Sequence, residues 1–157
     1  MPTRRVQLAN LALAAAAVPI LTTEPASASG GAASPAGTIE LTAQRTKINL
    51  PDVPALGTPY ITLLDLFDSG GGAAGHASAG SLVIDVTPEG PVVLGFVVLQ
   101  LGDGDIHYQR IIRRHGGYPR TAVGAVTGGT GEYAGAAGQV DISWPDADRV
   151  DLVVHLT

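Results

Sequence analysis

The chain contains no cysteine. That excludes a disulfide framework, thiolate catalysis and thiolate metal sites, so stability rests on packing and hydrogen bonding alone. Charged residues are sparse, at 15%, and aromatics sparser, at 4%. No basic stripe interleaved with aromatics is present, and the net charge is negative, which argues against a nucleic-acid surface. The histidines, His76, His107, His115 and His155, show no HxH or HExxH spacing, so no metal site is expected. The run GDGD at Gly102–Asp105 is too short for a calcium loop and reads as a hairpin turn. No GxSxG occurs, and Ser78 and Ser81 have no base near them in sequence, so hydrolase chemistry is unsupported. Helical periodicity is almost absent after residue 37.

What is present begins with a leader. Arg4 and Arg5 form a short basic start, and Leu11 to Leu21 is an apolar run too short to span a bilayer. ASAS at Ala26–Ser29 supplies the small residues that a signal peptidase reads. Residues 1–28 are therefore expected to be a cleaved signal, residues 29–37 a flexible tether, and residues 38–157 one folded domain. RRVQL also loosely matches a twin-arginine signal, so the export route stays open. Without Arg4, Arg5 and Glu24 the balance is 7 basic to 13 acidic residues, a net −6. Secretion is the expected localisation.

The domain reads as strands. Short segments rich in valine, isoleucine and threonine alternate with glycine, proline and aspartate breaks. Eight are predicted: Thr38–Leu50, Tyr60–Phe67, Gly75–Val86, Val92–Leu101, Ile106–Arg114, Thr121–Val126, Gly138–Trp144 and Arg149–Leu156. The fold class is all-β, and eight strands with short connections suit a closed antiparallel barrel with a central cavity. Val140, Ile142 and Trp144 share one face of their strand, opposite Gln139, Asp141 and Ser143. VVLGFVVLQL at Val92–Leu101 is apolar on both faces. Its outer face calls for a cover, either a second subunit or a plug from the N-terminal arm or the Leu50–Pro59 loop.

AVTGGTGEYAGAAGQVDI, from Ala125 to Ile142, tests two readings of glycine. Gly129, Gly131 and Ala134 fit a relaxed dinucleotide fingerprint, but a β-alternating strand follows where that motif needs a helix. A barrel corner remains, with glycines at positive φ and Tyr133 packing the turn. No cofactor is expected.

This segment closely resembles the glycine-rich signature of the allene oxide cyclase barrels, shared in looser form by plant dirigent proteins. GHASAGSLVI resembles the third strand of that family, and LQLGDGDIHYQ resembles a later hairpin. The resemblance covers roughly Tyr60 to Leu156. It implies an eight-stranded barrel with an apolar cavity, dimeric or trimeric, that uses no cofactor and holds a reactive polyene, epoxide or radical while a ring or bond forms. Bacterial relatives of similar architecture include spirotetronate-forming [4+2] cyclases. By the resemblance, Glu40 matches a first-strand carboxylate, although periodicity turns Ile39, Leu41 and Ala43 toward the core instead. Ser81 stands where the plant cyclases carry a cysteine, which sets this chain apart from the allene oxide reaction.

Cyclisation without redox needs a dry, shaped pocket and a few well-placed charges. One parity of the fifth strand, Ile106, Tyr108, Arg110, Ile112 and Arg114, is expected to face inward; the other, His107, Gln109, Ile111 and Arg113, would put Arg110 outside. An inward Arg110 needs a carboxylate or an anionic substrate; Asp65, between Leu64 and Leu66, is the candidate partner if it faces inward and otherwise a solvated edge charge. Trp144, the only tryptophan, either shapes the cavity or serves as core. The expected catalytic residues are thus Glu40, Tyr108 and Arg110, and the expected substrate-binding residues Asp65, Ser81, Trp144, Ile142 and Val140. The expected partners are a small apolar ligand and further copies of the chain. The expected function is steering the cyclisation or stereoselective coupling of that ligand; the rival reading is a non-catalytic carrier.

Overall fold

The computed structural model describes residues 36–157. The expected leader at 1–28, and all but the last two residues of the expected tether, lie outside the described residues. Eight strands run in chain order: β1 Gly37–Ile48, β2 Pro59–Asp68, β3 Ala73–Thr87, β4 Gly90–Leu101, β5 Gly104–Arg113, β6 Arg120–Gly129, β7 Gly138–Trp144 and β8 Arg149–Leu156. Each pairs antiparallel with its neighbours, and β1 also pairs with β8, which closes the barrel. All eight predicted strands are present. The bounds differ where pairing partners extend or stop a strand: β1 ends at Ile48, two residues early, and β6 runs on to Gly129.

Period-two alternation sends every second side chain inward. Leu41, Ala43, Leu64, Leu66, Ala77, Ala79, Val97, Leu99, Ile106, Tyr108, Val140, Ile142, Leu152 and Val154 form one continuous buried cluster. Leu66, Leu99 and Ile106 are completely buried, each worth about 1.5–3 kcal/mol relative to exposure. Four register shifts, such as that between Arg45 and Lys47, bend the wall at bulges.

The two ends of the barrel are built differently. One end carries the β2–β3, β4–β5 and β6–β7 turns. Here the glycine-rich segment becomes a single 3₁₀ turn at Gly131–Tyr133. Gly131 and Gly135 take positive φ, and a Cβ on Gly131 would collide with the Asp103 carbonyl oxygen. Tyr133 packs against the core, so the barrel-corner reading holds. At the other end, Ile48 and Leu50 pack on Tyr60, Val83 and Val93 as a small second cluster.

The outer face of β4 is not covered by the 49–58 segment, because Phe96 remains 51% exposed. Registered rows place Leu63 with Val98, Ile61 with Phe96, and Leu82 with Leu94 and Ile111 across β2–β5. Ile61, Leu63, Leu82, Phe96 and Ile111 are all exposed there.

Candidate functional site

A cavity opens at the end that carries the β1–β2, β5–β6 and β7–β8 connections. Its space arises from residue size. Inward positions near the turn-rich end hold Leu41, Leu66, Leu99 and Ile106, whereas those nearer the mouth include Ala43, Ala77, Ala79 and Ser81. Small side chains leave a void that the rigid sheet cannot collapse into. The centre of a water molecule can move through about 60 Å³ of it, enough for about four waters. Cavity and mouth together hold about 720 Å³ of unfilled space, part of it open to solvent.

Tyr108 and Arg110 reach the cavity from β5, and Trp144 from the last position of β7. Tyr108 is 3% exposed. Burial pushes its phenol above the ordinary value, and the Arg110 charge pulls it back in lesser measure. The hydroxyl is therefore a neutral donor at neutral pH. The Arg110 guanidinium carbon lies 5.6 Å from the Tyr108 ring centroid and 5.8 Å from that of Trp144, within cation–π range of both. Its Nε and Nη1 are buried with no hydrogen-bond partner.

Two glycines make this arrangement possible. Arg110 pairs in register with Gly95 on β4 and Gly124 on β6. A Cβ on Gly124 would lie 2.8 Å from Tyr108 Cδ2 and 3.0 Å from the Gln109 carbonyl oxygen. A Cβ on Gly95 would lie 3.4 Å from Arg110 Cζ and Nη1, with the Ser81 hydroxyl 3.6 Å away. The missing side chains let both β5 residues lie along the wall.

Further arginines ring the mouth. Arg120 donates from Nε to the Gly117 carbonyl at 3.0 Å and from Nη2 to that of Gly116 at 2.8 Å, with its guanidinium 4.4 Å from the Tyr118 ring centroid. Arg45 lies inside the wall with Nε unpartnered, and its Nη1 reaches Asp148 at only 3.7 Å. Arg114 also lines the opening.

Of the expected site residues, the structure brings together Tyr108, Arg110, Ser81 and Trp144. It corrects four others. Asp65 points outward, is 47% exposed, and lies 3.0 Å from His76 Nδ1, so it is not the partner of Arg110. Its neighbours Leu64 and Leu66 occupy the inward positions. Glu40 is exposed on the outer wall, in a shallow depression with Thr42, Arg149 and Asp151, because Leu41 and Ala43 take the inward parity. Val140 and Ile142 do face inward, but they are sealed in the packed core and do not border the cavity. Sequence reasoning missed Arg45, Arg120, Gly95 and Gly124, and put Arg114 on the inward parity without counting it in the site. Arg45 and Arg114 continue the inward parities of their strands, a signal that was readable. The two glycines become meaningful only once the register is known.

No family model matches the chain, and no curated protein matches it. Solved structures do. One described as "Pyocyanin demethylase" shares 26% identity with a TM-score of 0.64, covering 77% of this chain and all of the other. An exo-specific intermolecular Diels-Alderase, AbnU, shares 18% identity with a TM-score of 0.58, covering 77% of this chain and 96% of that one. A nonspecific heme-binding cyclase that catalyses [4 + 2] cycloaddition during neoabyssomicin biosynthesis shares 16% identity with a TM-score of 0.57, covering 78% and 68%. The last two likenesses are of fold alone.

Proposed function

We propose that the barrel binds one small, largely apolar molecule through its open end and steers its cyclisation or coupling. The observation that carries this reading is the preformed cavity, in which a guanidinium without a hydrogen-bond partner sits between two aromatic rings. No aspartate, glutamate or histidine lines it, so no general acid–base pair is at hand among the described residues. Ring closure of a conjugated ligand asks for no such pair. It asks for a folded ligand held in one shape away from water, and for charge placed where the transition state is polar. Two of the solved structures similar in fold are [4 + 2] cyclases or Diels-Alderases, which supports this choice. A lining without carboxylate or imidazole equally fits the second reading, a carrier that binds without catalysis.

Native mass spectrometry on protein purified from its own host separates the two. A bound precursor that converts on standing supports the cyclase; a ligand recovered unchanged overturns it in favour of the carrier.

The proposal extends to export and assembly. An N-terminus at or near Ser29 on protein from the native culture is the expected result, and finding the intact Met1 end on that protein overturns secretion. The apolar rows across β2–β5 are proposed to be covered by a second copy. Phe96→Asp should then lower the mass measured by light scattering to that of a monomer, and a monomeric wild type overturns the idea.

A further inference from the structure

Four arginines line the cavity and its mouth, Arg45, Arg110, Arg114 and Arg120, and no acidic residue among the described ones does. The chain as a whole is acidic, with net charge −5 and pI near 5.1. Positive charge is thus concentrated at the one place where a ligand enters. Little of it is neutralised at close range: the Arg45–Asp148 contact is the one ion pair these four arginines make among the described residues. Arg120 is held by two neutral carbonyls, Arg45 meets the exposed Asp148 only at 3.7 Å, and Arg114 has no ion-pair partner among the described residues. Arg110 is the deepest commitment, with two donor atoms buried and unsatisfied.

We infer that the ligand is a small acid: an apolar, conjugated body ending in a planar oxyanion such as a carboxylate, which Arg110 holds inside the barrel. The inference rests on the proposal that this cavity is the ligand site. A buried charge that lacks a partner is costly, and two aromatic faces offset part of that cost without supplying an acceptor. A neutral carbonyl would satisfy a donor but leave the charge standing. A carboxylate does both, through the fixed donor fork of the guanidinium. The Tyr108 phenol adds a neutral donor beside it, and Trp144 and Tyr108 offer ring faces to the conjugated body. The three mouth arginines act before binding: clustered positive charge on an acidic protein draws anions to the opening.

An isosteric pair of probes tests this, cinnamate against cinnamamide, with cinnamylamine as the cation. Calorimetric titration supplies affinities, and the indole N–H resonance of Trp144, the only tryptophan in the chain, reports occupancy of the cavity. Cinnamate should bind about tenfold or more tighter than the amide, as a charge-assisted hydrogen bond provides. Arg110→Met should abolish that preference while leaving the amide affinity in place, and Arg110→Lys should restore part of it. Equal affinity for acid and amide, or tighter binding of the amine, overturns the inference and leaves the ligand-binding barrel standing. A preference that survives Arg110→Met overturns the assignment to Arg110. If none of the probes moves the Trp144 resonance even at millimolar concentration, the cavity is not the ligand site and both readings fall. The wild-type comparison decides the main point without any variant.

Discussion

The two ends of this barrel solve different problems with the same strands. At the turn-rich end, leucine, isoleucine and valine such as Leu66, Ile106 and Val154 are fully buried in the packed cluster, and glycines shape the 3₁₀ turn there. Toward the open end, alanine, serine, arginine and aromatics join the aliphatic side chains on the inward face. One end is filled with side chains that have nowhere better to be; the other holds a charge without an acceptor. The contrast is one of packing against space along a single axis. Packing is supplied at one end, so the other can tolerate a void and an unsatisfied guanidinium.

Mutations can break or sharpen that division. The largest effect belongs to the packed end: Leu66→Ala should cost about 2–5 kcal/mol in chemical denaturation. Affinity for an apolar probe, measured on the folded fraction, should stay unchanged. Trp144→Ala at the open end should behave in reverse. Its stability loss should fall below the roughly 3–5 kcal/mol of a tryptophan in a solid core, because its ring already borders empty space, while probe affinity drops about tenfold or more. A full core-sized loss with unchanged affinity would assign Trp144 to the packed half.

Gly124→Ala tests the wall between the two. Its Cβ would press on the Tyr108 ring, so about 1–3 kcal/mol of overpacking is expected, together with a changed Trp144 resonance. Gly80→Ala is the control, since a Cβ there meets nothing within 4 Å. The smallest effect is one of pH. The Tyr108 phenol titrates above its ordinary value of 10 because burial disfavours the anion. A raised acid pKa means that its contribution is fully present below about pH 10 and is lost as pH rises through the folded value. Alkaline denaturation curves of wild type and Tyr108→Phe should therefore coincide in shape below pH 10 and diverge above it, with the wild type losing stability faster.

Much of this was open to reading in the chain itself. Gly138–Trp144 alternates so regularly that its inward face could be named, and Trp144 was found there. The fifth strand was harder, because both parities contain arginine, yet the tyrosine beside two isoleucines pointed to the correct one. Of the two places open to Asp65 in the sequence, the structure takes the solvated one, because the alternation of its own strand turns it outward to His76. Glu40 was carried over from a resemblance against the parity of Leu41 and Ala43, and the parity prevailed.

The sequence alone determined the eight strands, the barrel and the inward set, because a strand's side chains alternate over two residues and that period is a local property. It also determined the glycine-rich corner, where positive φ admits little else. Only the tertiary structure decided where the space lies and who shares it. Arg110 finds Gly95 and Gly124 at its flanks through the register of three strands that meet across fifteen residues on one side and fourteen on the other. The mouth gathers Arg45 from β1, and Arg114 and Arg120 from the two ends of the β5–β6 connection. A charge left without a partner is a fact about everything around it, and closure of the barrel is what brings those surroundings together.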